Sequence, residues 1–269
     1  MDATDRLVMP RAGWSTPQRV RALRIGIVVT ILVAWEAVAA SGLLFRDVVP
    51  SLVAIGRALG RLLTDAAFYW NLGVTGAEIG GAVLIGGVSG LAVGLALGAN
   101  RFLARAYEPF IYYLGPTPKI IFFPIMIMWF GVGSGSKVAM GALSCFFPIA
   151  ISAAAGMREI DRVLIRVGTS FRASPWQMVT KIYLPALRRP LVNGIRLGLG
   201  IAIIGTLLAE TKLSNRGIGY LIIQSYSTFD MPKMYALLIV LFVLAIGANA
   251  LIGRFAGADT SSLDRGRSR

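Results

Sequence analysis

Six stretches of this chain are each long and apolar enough to cross, or nearly cross, a bilayer. They are Ile25–Phe45, Ile79–Ala99, Pro109–Val132, Val138–Met157, Leu191–Ala209 and Met234–Gly253. A spanning helix needs about 20 mainly apolar residues. The second, fourth and sixth stretches hold no charge, while the first carries Glu36, the third Lys119 and the fifth Arg196. Mean hydropathy is +0.70 and charged residues are 15% of the chain, both outside the range of soluble domains. Hydrocarbon offers no water to backbone N–H and C=O groups, so such spans must be helices or a closed barrel. The two-residue alternation of a barrel is absent. The expected fold is an all-α integral membrane protein with six transmembrane helices.

Lys and Arg set the orientation. With the N-terminus in the cytoplasm, inside segments hold eighteen of the 27 Lys and Arg residues and outside segments hold seven. Both termini are therefore expected in the cytoplasm. The net charge of +14 reflects this asymmetry together with contact to anionic lipid. Nucleic-acid binding does not fit, because the basic residues flank apolar spans. Ile25–Phe45 is too long and too late for a signal-peptide core, so no cleavable signal is expected. A single cysteine, Cys145, excludes an internal disulfide and reads as a small apolar packing residue. The chain has no His, which removes the usual imidazole base and metal ligand, and no metal site is expected.

These boundaries divide the chain into a tail (1–24), a first span with an external amphipathic segment (25–72), a core (73–253) and a tail (254–269). In the external segment, Pro50-Ser51 resembles a helix start. Leu52, Ile55, Leu59, Leu62 and Leu63 share a helical face there. In the second span Ala82, Gly86, Gly90, Gly94 and Gly98 recur every four residues, a groove for close approach of another helix. Packing within the chain is the favoured reading, and a subunit interface is the alternative.

The third span carries Pro109, Pro116, Pro118 and Pro124. An interior Pro removes a hydrogen bond and kinks or breaks a helix. Lys119 sits beside these breaks. Pathway lining and a purely structural kink weigh equally, and a Lys near the cytoplasmic third can also snorkel. Gly131 to Lys137 superficially resembles a phosphate loop. The Walker pattern needs Gly before Lys and Ser or Thr after it, whereas Ser136 and Val138 stand there. It reads as a tight external turn, and the chain has no recognisable nucleotide site.

The basic loop 158–190 holds most of the remaining signal. Val163, Leu164, Val167 and Phe171 recur at helical spacing. Ser174 suits an N-cap and Pro175 the first helical position, where a missing N–H costs nothing. Trp176, Val179, Ile182 and Tyr183 follow within reach of one face, before Leu184-Pro185 and Pro190. The expectation is a helix–turn–helix with projecting apolar knobs. Such knobs suit docking into a groove of a soluble partner, and a basic amphipathic segment resting on anionic lipid is the alternative.

Taken together, Pro116-x-Pro118, Pro124, Trp129-Phe130-Gly131-Val132-Gly133, Lys137, Ala173 to Gln177, Leu184-Pro185-Ala186, Gly194-x-Arg196, Ala209-Glu210 and Gly217 to Leu221 make a specific pattern. The chain resembles permease subunits of bacterial ATP-binding-cassette importers, in the branch for nitrate, sulfonates and taurine. The similarity runs from about Asn71 to Arg254. It implies a type I importer transmembrane fold in the bacterial inner membrane. It also implies a cytoplasmic ATPase dimer that binds ATP and magnesium, and an external substrate-binding protein. A second permease subunit, as a homodimer, and membrane lipids complete the expected partners. The chain itself would bind no cofactor and catalyse no covalent step.

The family's coupling motif, Glu-Ala-Ala-x3-Gly-x9-Ile-x-Leu-Pro, falls on this loop. Ile182, Leu184 and Pro185 keep it, while Arg166, Val167 and Gly168 replace the opening and Arg172 replaces the central Gly. The resemblance thus implies a coupling loop built from Arg166, Gly168, Phe171, Arg172, Ala173, Ser174, Pro175, Trp176, Ile182, Leu184 and Pro185. The candidate translocation path comprises Pro116, Pro118, Lys119, Pro124 and Glu210, with Glu210 at the outer rim. A competing reading is an autonomous ion-coupled secondary transporter using Glu36, Lys119 and Glu210. Only one strongly Pro-broken span weighs against it, since such carriers often pair broken spans in two halves. Glu78 is expected to pair with a polar neighbour or reach the interface. Ser225 to Thr228 reads as a contact to substrate or binding protein, or as a polar loop.

Overall fold

A computed structural model describes residues 17–42 and 48–257. All regular structure among them is helical. The chain divides into two units, residues 1–57 and 58–269. The expected roles of Arg46 and of the basic residues from Arg254 onward lie outside the described residues or side chains.

The first unit holds α1 (Pro17–Ser41) and the first half of α2 (Leu52–Leu63), whose second half belongs to the other unit. Glu36 accepts a hydrogen bond from Leu52 N–H at 2.8 Å. Trp35 Nε1 donates to the Pro50 carbonyl at 3.1 Å. The carboxylate thus satisfies a free N–H at the start of α2, where the helix dipole also favours negative charge. Ser51 Oγ accepts from Ala54 N–H, so the expected helix start holds.

The second unit continues through α3 (Ala66–Ala99) and α4 (Arg101–Leu114). A short 3₁₀ turn (Lys119–Phe122), α5 (Phe123–Phe130) and α6 (Ser134–Glu159) follow. Next come α7 (Arg162–Ser170), α8 (Pro175–Gln177), a π segment (Met178–Tyr183), α9 (Leu184–Ala186), α10 (Arg188–Lys212), α11 (Ile218–Ser227) and α12 (Met231–Gly257). Among the described residues, five helices are long and apolar enough to span a membrane, namely α1, α3, α6, α10 and α12. The sixth expected span is the pair formed by α4 and the segment Lys119–Phe130, bent by 94°.

Three local expectations need correction. Pro109 lies inside α4 and does not break it; the break falls at Gly115–Pro118, where two prolines and a glycine coincide. The external turn covers only Gly131 to Gly133, since Gly131 takes φ +75° and α6 begins at Ser134, leaving Lys137 inside a helix. Leu63 is exposed rather than part of the buried face of α2.

The core is α6 packed between α3 and α10. The four-residue stripe on α3 lies directly on α6 and is packing within the chain. A methyl at Gly90 would sit 2.7 Å from the Phe146 carbonyl oxygen, and one at Gly94 would sit 2.5 Å from that of Ala150. At Gly86 it would overlap Ala142 and Cys145, and at Gly98 it would overlap Met157. On the other side of α6, Gly194, Gly198 and Gly205 of α10 meet Ser152, Ile149 and Ser144. Small residues let the backbones approach and gain dispersion contact where lipid supplies no hydrophobic drive.

Candidate functional site

The loop between α6 and α10 is a helical hairpin. Asp161 opens it by accepting from Val163 N–H at 2.8 Å. Gly168 is buried against Met178 and Ile182, and a methyl there would overlap both side chains. The first arm then ends in a Schellman turn: Ala173 N–H reaches the Gly168 carbonyl and Arg172 N–H the Thr169 carbonyl, both at 3.0 Å. Arg172 occupies the left-handed position with φ +52°. An Arg therefore adopts the backbone shape that the motif's Gly takes without strain.

Ser174 starts the second arm with a reciprocal capping box. Its Oγ accepts from Gln177 N–H at 3.3 Å, and Gln177 Oε1 accepts from Ser174 N–H at 2.8 Å. Pro175 holds the first helical position, as the sequence predicts. Pro185 lies within the helical run that ends at Ala186, and Pro190 lies in the first turn of α10, which starts after a turn at Leu187. Pro185 has no N–H to donate, and the ladder before it shifts to π register, with Leu184 N–H bonding the Val179 carbonyl.

The hairpin's root is buried and its tip is bare. Met157, Ile160 and Leu187 form a cluster with Leu95, Ile165 and Tyr183 around the root. Arg158 pairs with Glu108, joining the end of α6 to α4. At the tip Phe171 is 83% exposed and Trp176 74%. Val163, Leu164 and Val167 are also exposed, as are Arg162, Arg166, Arg172 and Lys181. Ile182 and Leu184 are half-buried, Ala173 likewise, and Pro185 is exposed.

The candidate path residues separate into two places. Pro116, Pro118 and Pro124 are exposed along the broken segment, near exposed Met128 and Trp129. Lys119 folds back on the break: its Nζ donates to the Gly115 carbonyl and to that of Thr117 at 3.3 Å, and lies 5.0 Å from the Phe147 ring centre. It satisfies carbonyls that the bend sets free, which favours the structural role. Glu210 is fully buried in the last turn of α10 and lines no surface of this chain.

Glu210 belongs instead to a polar cluster that sequence reasoning missed. Its Oε1 accepts from Thr75 Oγ1 at 2.7 Å and its Oε2 from Gly219 N–H at 2.6 Å. Thr75 Oγ1 accepts from Ile218 N–H, and Asn71 Oδ1 from Gly217 N–H. These bonds satisfy the free N–H groups at the start of α11 and fix it to α3 and α10. Lys137, also fully buried, donates to the carbonyls of Val132 and Leu213, the latter at 2.6 Å. Glu78 is buried on α3. Asn71, Thr75 and Glu78 share one face of a helix, the only signal in sequence that could have suggested the cluster. Ser225 is buried and Tyr226 exposed at the end of α11, so the expected polar loop is largely helical.

Residues 82–257 match the model of a protein family described as the binding-protein-dependent transport system inner membrane component. The chain belongs to this family. It is a multi-pass inner-membrane permease subunit of an ATP-driven importer, not an enzyme, and it works with a separate ATPase and a substrate-binding protein. It is 29% identical to the taurine transport system permease protein TauC of Escherichia coli over 92% of this chain and 94% of that one. A putative aliphatic sulfonates transport permease protein, SsuC of Bacillus subtilis, is 28% identical over 80% and 78%. The inward-facing MetNI methionine ABC transporter superposes with a TM-score of 0.62 at 23% identity, covering 72% of this chain and 98% of that one. That likeness concerns the fold.

Proposed function

We propose that this permease couples to its ATPase through the 158–190 hairpin and imports a small solute of the sulfonate, taurine or nitrate kind. The observation that carries the coupling reading is the hairpin itself. Its backbone is closed by a Schellman turn and a capping box, its root is packed under α6, and its tip presents bare Phe171 and Trp176 among Arg side chains. A rigid element with apolar knobs can seat in a groove and transmit a displacement to the spans it joins. The substrate class is supported by the permeases named for taurine, sulfonates and nitrate. Two copies of the chain, facing each other with both termini in the cytoplasm, would enclose the path, with ATP and magnesium held by the partner.

The ion-coupled alternative loses support because its residues are engaged elsewhere. Glu36 caps α2, Lys119 caps the break, and Glu210 anchors α11. Co-purification of the cognate ATPase tests the docking reading. Trp176→Ala, and separately Arg172→Glu, should weaken association about tenfold while leaving membrane insertion intact. Unchanged association in both variants contradicts it.

A further inference from the structure

A groove runs between α10 and α12. It encloses about 360 Å³ and is walled by aliphatic and aromatic side chains, including Leu199, Ile203, Leu241, Phe242 and Ile246. Its polar residues, Arg196 and Asn249, lie at one end. From Arg196 to Leu207 it follows α10 for eleven residues, about 16 Å at the helical rise. Arg196 Nε is buried without a hydrogen-bond partner, and among the described residues no carboxylate pairs with the guanidinium. The guanidinium lies against the α12 backbone at Gly253, where a methyl would overlap it.

A guanidinium stays charged under all ordinary conditions, and an uncompensated charge within a membrane span is costly. Side chains on a helix tilt towards its N-terminus, so Arg196 leans towards the Arg188-Arg189 end of α10. The Lys and Arg distribution assigns that end to the cytoplasmic face, where anionic headgroups concentrate. A small hydrophilic anion would satisfy the charge but leave the long apolar wall unused. A ligand with one anionic head and a hydrocarbon tail matches both parts.

We propose that this groove is a specific site for an anionic phospholipid, with its phosphate on Arg196 and one acyl chain along the α10–α12 wall. The phosphate accepts a bidentate pair from the guanidinium, and Asn249 supplies a further donor at the same end.

Native mass spectrometry and thermal shift on the purified full chain test this, with phosphatidylglycerol, phosphatidylcholine and glycerol phosphate as probes. The wild type should retain phosphatidylglycerol and be stabilised by it in preference to phosphatidylcholine, and glycerol phosphate should not displace it. Arg196→Gln should bind phosphatidylglycerol about tenfold more weakly and lose the headgroup preference. Ala245→Phe fills the groove without touching the charge and should expel the lipid while the chain stays folded. Equal retention in wild type and both variants overturns the proposal. So does displacement by glycerol phosphate, which would mark a free-anion site. Crosslinking of the Ala245→Cys variant to a second copy in the membrane also overturns it, because a helix would then fill the groove. None of these readouts depends on transport, so they stand or fall separately from the coupling reading.

Discussion

Arg172 holds a left-handed backbone position that costs a non-glycine residue roughly 1 kcal/mol. Two carbonyl bonds and the capping box that follows hold it there. The position therefore separates shape from charge. Arg172→Gly should slow amide exchange at Arg172 and Ala173 several-fold, because the turn is retained and the strain relieved. It should also lose part of the ATPase association if the charge itself contributes. Faster exchange in the glycine variant would show that the side chain, not the backbone, stabilises the turn. Lys137 is a second residue whose role is set by its surroundings. Its ammonium bridges the Val132 and Leu213 carbonyls just beyond α5 and α10. Lys137→Met leaves those acceptors without a partner and should lower stability by about 3 kcal/mol in detergent unfolding. A change below about 0.5 kcal/mol would contradict that role.

Among the elements, α3, α6 and α10 depend on close approach. Gly90 and Gly94 lie where a methyl would press on α6 carbonyl oxygens. Gly94→Ala should destabilise by roughly 1–3 kcal/mol, whereas Gly80→Ala, on the same helix with open space around it, should be neutral or slightly stabilising. Equal effects in melting experiments would contradict the packing account. This stripe was legible in sequence because a four-residue repeat of small residues encodes one helix face. The Ser174 cap was legible because capping is local chemistry. The π register before Pro185 and the helix α11 were not. The first depends on a missing N–H within a continuous helix. The second is held by Asn71, Thr75 and Glu210 from distant parts of the chain. The same reason hid Glu36 and Glu210, whose partners are 16 and 135 residues away.

For the whole molecule, the bare hairpin tip and the buried hairpin root imply division of labour. The spans provide the membrane path, and the energy source lies on another subunit. Reconstitution into proteoliposomes tests this most directly, with uptake of labelled taurine or an alkanesulfonate as readout. With cognate ATPase and binding protein, ATP should drive uptake, and Trp176→Ala should reduce it along with ATPase association. Uptake driven by an ion gradient, with this chain alone in the membrane, would contradict the account.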